Sequence, residues 1–159
     1  MRPLPTITKQ YTMRKIILIF SLILYTSTIY GQYSKSSEAL TAEFFAMYKR
    51  DTNAAFDFIF ETNEWLANDR EEIDKIKAEV LEYKTTLGDY MGFEKLINKH
   101  IGGNLNVFVY LVKYERQPLK FIFKYYKSKN KWMLYKFKIE ENIDRDIDKI
   151  IEHELLNKF

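Results

Sequence analysis

Apolar and polar residues alternate with a period of two through most of the stretch from Lys113 to Ile139, in three runs rich in Phe, Tyr and Val joined by two tight turns. Such alternation predicts antiparallel strands. A two-residue loop of Arg116 and Gln117 sets Tyr114 opposite Leu119, Val112 opposite Phe121, Tyr110 opposite Phe123 and Phe108 opposite Tyr125. For the next turn, a three-residue loop of Ser128, Lys129 and Asn130 pairs Phe123 with Tyr135 and Phe121 with Phe137, with Asn130 in the left-handed position. A two-residue loop there would set Phe123 against Lys136. One face of the predicted sheet is then aromatic, with Tyr110, Tyr114, Phe121, Phe123, Tyr125, Tyr135 and Phe137. The other carries Val109, Leu111, Ile122, Tyr126, Trp132 and Leu134, bordered by lysines.

Upstream the period lengthens to that of helices. Ser36 or Ser37 caps a helix over about Glu38 to Arg50, with Leu40, Phe44, Phe45, Met47 and Tyr48 as its apolar stripe. Asp51 or Thr52 caps a second, with Ala55, Phe56, Ile59 and Phe60 at helical spacing. A third begins after Asn68 or Asp69, turns Ile73, Ile76, Val80, Leu81 and Leu87 inward, and stops at Gly88. From Tyr90 the chain becomes an irregular strand, closed by Gly102-Gly103. A short C-terminal helix carries Ile143, Ile147, Ile150, Ile151 and Leu155. The fold class is therefore α+β, N-terminal helices packed on an antiparallel sheet. Burying a large apolar side chain contributes about 1.5–3 kcal/mol, so the aromatic face is expected to turn towards the helices. The aliphatic face is left to a second copy of the chain or to the C-terminal helix.

The first 31 residues contain no Asp or Glu and place Arg14 and Lys15 before an apolar run from Ile16 to Leu24. That layout is a cleavable secretory signal, too short in its apolar core to span a bilayer, with Met13 as the expected start and Gln32 as the first mature residue. Residues 32–159 form one domain, expected in the periplasm or outside the cell with no membrane span. Export also changes the charge balance. The 25 basic residues less Arg2, Lys9, Arg14 and Lys15 leave 21 against 22 acidic ones, which removes any electrostatic argument for nucleic acid. With no cysteine there is neither a disulfide nor a site for N-terminal lipid attachment.

The runs Gly88-Asp89-Tyr90-Met91-Gly92, Lys113 to Pro118, Phe123 to Lys127 and Lys131 to Leu134, following a helical front half, resemble secreted members of the nuclear transport factor 2-like superfamily. The resemblance covers most of the mature chain. It implies a cone-shaped domain in which a curved sheet and the helices enclose a pocket. Enzymes of that superfamily, such as ketosteroid isomerase, place acidic residues and tyrosines in this pocket, and no catalytic residue transfers to the present chain.

Chemistry is sparse along the sequence. Proton abstraction needs a carboxylate or imidazole with a shifted pKa, and the inward-facing residues offer only tyrosines, poor bases with an ordinary pKa near 10. Tyr110, Tyr114, Tyr125 and Tyr135 read either as core rings or as hydrogen-bond donors to a ligand. His100 and His153 form no metal-ligand spacing, and Asp144-Arg145-Asp146 reads as a solvated helix face. No cofactor or metal signature is present. The expectation is an exported, non-catalytic domain that binds a small molecule or peptide through Tyr110, Tyr114, Phe121, Phe123, Tyr125, Tyr135 and Phe137. The alternative is a structural protein that forms a homodimer through Leu111, Ile122, Tyr126, Trp132 and Leu134. A third reading, an isomerase or hydrolase, requires Glu94 or Asp89 to reach the cavity.

Overall fold

The computed structural model describes residues 35–143, 145, 146, 148 and 149. The expected signal segment and all but Ile143 of the apolar residues of the C-terminal helix lie outside these residues. The described chain runs α1 (Ser37–Tyr48), α2 (Thr52–Glu61), α3 (Glu64–Ala67), α4 (Arg70–Leu87), β1 (Tyr90–Ile101), β2 (Leu105–Tyr114), β3 (Leu119–Ser128) and β4 (Lys131–Glu140). Local chemistry starts each helix. Ser36 Oγ accepts from Ala39 N, Asp51 from Ala54 N, Asn63 from Trp65 N and Asp69 from Glu72 N, caps worth about 1 kcal/mol each. Gly88 ends α4 with φ 84° and ψ −161°, a conformation reserved for glycine. Within α4, Ile73, Val80 and Leu87 are buried and Ile76 packs against them, whereas Leu81 is exposed, one residue round the helix from the stripe it was expected to join.

The four strands form one antiparallel sheet in the order β1-β2-β3-β4, so β1 and β4 are its edges. Its aromatic face meets the helices. Phe44 and Phe45 of α1 lie with ring centroids 5.1 and 5.9 Å from Phe123, and Phe56 of α2 lies 5.3 Å from Phe137. Most of these contacts are edge-to-face, the arrangement that the ring quadrupoles favour.

Both turns differ from the expected ones. In the β2–β3 connection, Val112 pairs with Leu119, Tyr110 with Phe121 and Phe108 with Phe123, two residues away from the expected register. A shift of two preserves the faces. Its cause is tertiary. Arg116 N donates to Leu87 O at 3.0 Å and the Glu115 carboxylate accepts from Asp89 N at 3.2 Å. Those bonds tie Glu115 to Pro118 to the end of α4 as a wider loop, in which Pro118, lacking an N–H, need not join the ladder.

The β3–β4 turn is the two-residue form, with Ser128 paired to Lys131 and Lys129, not Asn130, at positive φ. An irregularity then inserts Tyr135 as an extra residue, so Tyr125 pairs with Leu134 and Phe123 with Phe137. The short turn and the apolar pairing coexist because the bulge absorbs one residue. The short turn reverses the parity of the residues before the bulge, so Leu134 is fully buried and Trp132 packs against the core, while Tyr135 is 59% exposed; the bulge then returns Phe137 to the core side. Thr62 Oγ1 accepts from Leu134 N at 2.9 Å and Asn63 Nδ2 donates to Leu134 O at 2.7 Å, so the α2–α3 corner satisfies the edge backbone beside the bulge.

Candidate functional site

Six of the seven residues expected to line a cavity are together on the helix-facing side of the sheet. Tyr110, Tyr114, Phe121, Phe123, Tyr125 and Phe137 are all buried, and Phe123 alone has rings of Phe44, Phe45, Tyr110, Tyr125 and Phe137 around it. Tyr135 is not among them, for the reason given by the bulge. Of the residues expected on the outer face, Leu111 and Ile122 are half-buried and Tyr126 is exposed. Trp132 and Leu134 lie instead on the core side. Asp89 and Glu94 are both exposed, and Glu94 pairs with Leu111 on the face away from the rings.

The buried hydroxyls have partners within the protein. Tyr48 and Tyr114 share a hydrogen bond between their phenols. Thr41 Oγ1 donates to Ser37 O at 2.8 Å, which leaves Tyr125 to donate to Thr41 across 2.7 Å. Burial pushes the Tyr48 and Tyr125 phenols well above their ordinary range. Burial, helped by the Glu38 charge, pushes Tyr110 up to about 12. A phenol so raised stays protonated at neutral pH and supplies a donor, not a base. Tyr48→Phe and Tyr114→Phe should each cost about 1–2 kcal/mol in urea denaturation by orphaning the other hydroxyl. The double variant should lose less than the sum, because it leaves no unpaired group.

A polar chain that sequence reasoning missed continues from this network. Asn106, buried on β2, donates through Nδ2 to Ser37 Oγ at 2.7 Å and holds His100 Nδ1 against Oδ1 at 2.6 Å. The amide oxygen fixes the imidazole proton on Nδ1. His100 Nε2 then faces Glu38 at 3.8 Å. Burial raises the Glu38 carboxyl, but hydrogen bonds from its own backbone and from Ser37 and Ser36, with the nearby His100, outweigh that and leave it below its usual range. The period-two reading of β2 interrupted by a single Asn at position 106 was the available signal.

A groove open to solvent lies elsewhere, on the flank of α1. With a volume of about 740 Å³, it runs between α1 and the first half of β1, lined among the described residues by Ala42, Phe45, Ala46, Lys49, Tyr90, Met91, Gly92, Phe93 and Lys113. Phe45 and Phe93 stack with centroids 4.0 Å apart and form its inner wall. Ala42 and Ala46 are exposed and present only methyl groups. At Gly92 a Cβ would find nothing nearer than Lys113 Cε at 3.9 Å, so that part of the wall is bare backbone. Its charged lining groups are Lys49 and Lys113. The residues at 42, 45, 46 and 49 share a helix face, a second stripe beside the buried one that periodicity could have revealed.

Among the described residues no helix is long and apolar enough to cross a membrane. Comparison of the chain with protein-family models, with curated proteins and with solved structures finds no match.

Proposed function

We propose that the chain is an exported, non-catalytic binding domain that takes an amphipathic ligand, a small molecule or a peptide, in the groove between α1 and β1. The site was expected between helices and sheet. The groove occupies that boundary at its open side, whereas the centre of the boundary is filled by Phe44, Phe123 and Phe137. The observation that carries the reading is the make-up of the lining: aromatic and methyl surface with two lysines, a combination suited to an apolar body with a negative group. The aromatic sheet face turned towards helices supports assignment to a cone of the nuclear transport factor 2-like kind. Dimerisation through the outer face is the weaker reading, since the two-residue β3–β4 turn puts Trp132 and Leu134 on the core side and leaves Leu111, Ile122 and Tyr126.

Native mass spectrometry of the protein recovered after export tests both parts. The expected chain mass is that of residues 32–159, accompanied by a non-covalent adduct that is lost on denaturation. Ala46→Trp, which fills the groove from an exposed helix position, should abolish the adduct with the thermal midpoint unchanged. An adduct retained by the folded variant would place the ligand elsewhere.

A further inference from the structure

We infer that the ligand of the α1–β1 groove is an extended acidic peptide that pairs its backbone with the edge of β1, which no other strand covers among the described residues, an inference that rests on the groove reading above. The first observation is the asymmetry of the two sheet edges. On β4 the N–H and C=O of Leu134 are taken by Thr62 and Asn63. On β1, among the described residues, no helix or loop forms a hydrogen bond to the backbone. A strand at a sheet edge turns the N–H and C=O of every second residue outward, and an incoming strand satisfies them.

The second observation is the regular segment of that edge. Register irregularities fall between Tyr90 and Gly92 and between Lys95 and Ile97, while Gly92, Phe93, Glu94 and Lys95 pair regularly with Lys113, Val112, Leu111 and Tyr110. This segment begins in the groove wall, with α1 on the other side. Ala42 and Ala46 project little from α1, which leaves the helix side of the groove open above the Phe45–Phe93 wall for an incoming backbone. Side chains of the incoming strand alternate, one set towards the Phe45–Phe93 wall and the other outward.

Charge selects the occupant. Lys49 and Lys113 line the groove, and Lys95 and Lys99 stand on β1 itself, with Glu94 as the strand's one acid. An acidic strand is attracted. A second copy of the chain pairing through β1 would bring two lysines and one acid to the edge from each strand, which adds positive charge where an acidic strand would remove it. A small amphiphile would fill the groove but leave the edge backbone unused.

The test is fluorescence anisotropy on the full chain with a labelled seven-residue peptide alternating glutamate and valine. Saturable binding is expected, weakened about tenfold when alternate peptide amides are N-methylated, because at least one backbone hydrogen bond is lost. The variant Lys49→Glu with Lys113→Glu, both exposed positions, should weaken binding about tenfold or more with an unchanged thermal midpoint. Equal binding of the N-methylated peptide overturns strand pairing, and equal binding of a lysine–valine peptide overturns the charge selection. If no peptide binds while Ala46→Trp still removes a native adduct, the peptide inference fails and the groove reading stands. A concentration-dependent dimer by light scattering that blocks the peptide would replace it with a second copy.

Discussion

Phe123→Ala is expected to lower the folding free energy by about 3–5 kcal/mol, the range for deleting a fully buried aromatic ring. Phe123 lies at the point where α1, β2, β3 and β4 meet, with Phe44 and Phe137 within 5.1 Å of its ring centroid. Helices α1 and α2 reach the sheet largely through these rings, so the cavity left behind is walled by groups from several elements and cannot close by one side chain's movement. A domain of this size has roughly 5–15 kcal/mol in total, and the variant should be marginal at room temperature. Tyr135→Ala is the control. Both residues are aromatic, and the register expected from a three-residue turn would set them opposite each other. With the bulge, Tyr135 is exposed, and its loss should fall within about 0.5 kcal/mol. Urea denaturation of the two variants reads the difference, and similar losses would refute the outward placement of Tyr135.

The second large effect is at Gly88. Alanine there must adopt φ 84°, at a strain of about 1–3 kcal/mol, and its Cβ would stand 2.2 Å from Glu115 Oε2. The nearest atom is the end of a side chain, but the Glu115 Cβ is also only 3.0 Å away, so the loop would have to shift. Overpacking of that kind adds about 1–3 kcal/mol. Glu115→Ala also loses the bond to Asp89 N and should be mildly destabilising alone. Combined with Gly88→Ala it should recover the part of the clash that the carboxyl end makes and leave the contact with the Cβ at position 115 and the backbone strain, so a double-mutant cycle gives a favourable coupling. Strict additivity would show that the contact between the end of α4 and the β2–β3 loop contributes nothing.

The elements legible in the sequence are those decided within a few residues. Ser36, Asp51 and Asp69 cap their helices because a side-chain oxygen needs only the N–H groups of the next turn, and Gly88 stops α4 because its own backbone conformation does so. The aromatic face of β2 and β3 was legible too, since a register shift of two residues keeps every side chain on its side. What stayed hidden depends on distant partners. The width of the β2–β3 loop is set by Leu87 and Asp89, and the bulge at Tyr135 is accommodated beside Thr62 and Asn63, some seventy residues earlier. The short helix α3 that forms this corner has four residues, too few to show a period. The groove was hidden for a different reason. Its walls come from α1 and β1, and its most telling residues, Ala42, Ala46 and Gly92, matter through the volume they leave empty.

The Thr62 and Asn63 contacts to Leu134 bear on how far assembly could proceed. A sheet with both margins unsatisfied is a two-ended monomer, able to extend into fibres by repeated addition. Here Leu134 on β4 has its N–H and C=O tied to the α2–α3 corner beside the bulge, so a strand added at that margin would meet a gap in its ladder there. Asn63→Ala would release the Leu134 C=O and narrow that gap, making the β4 margin more receptive to an added strand.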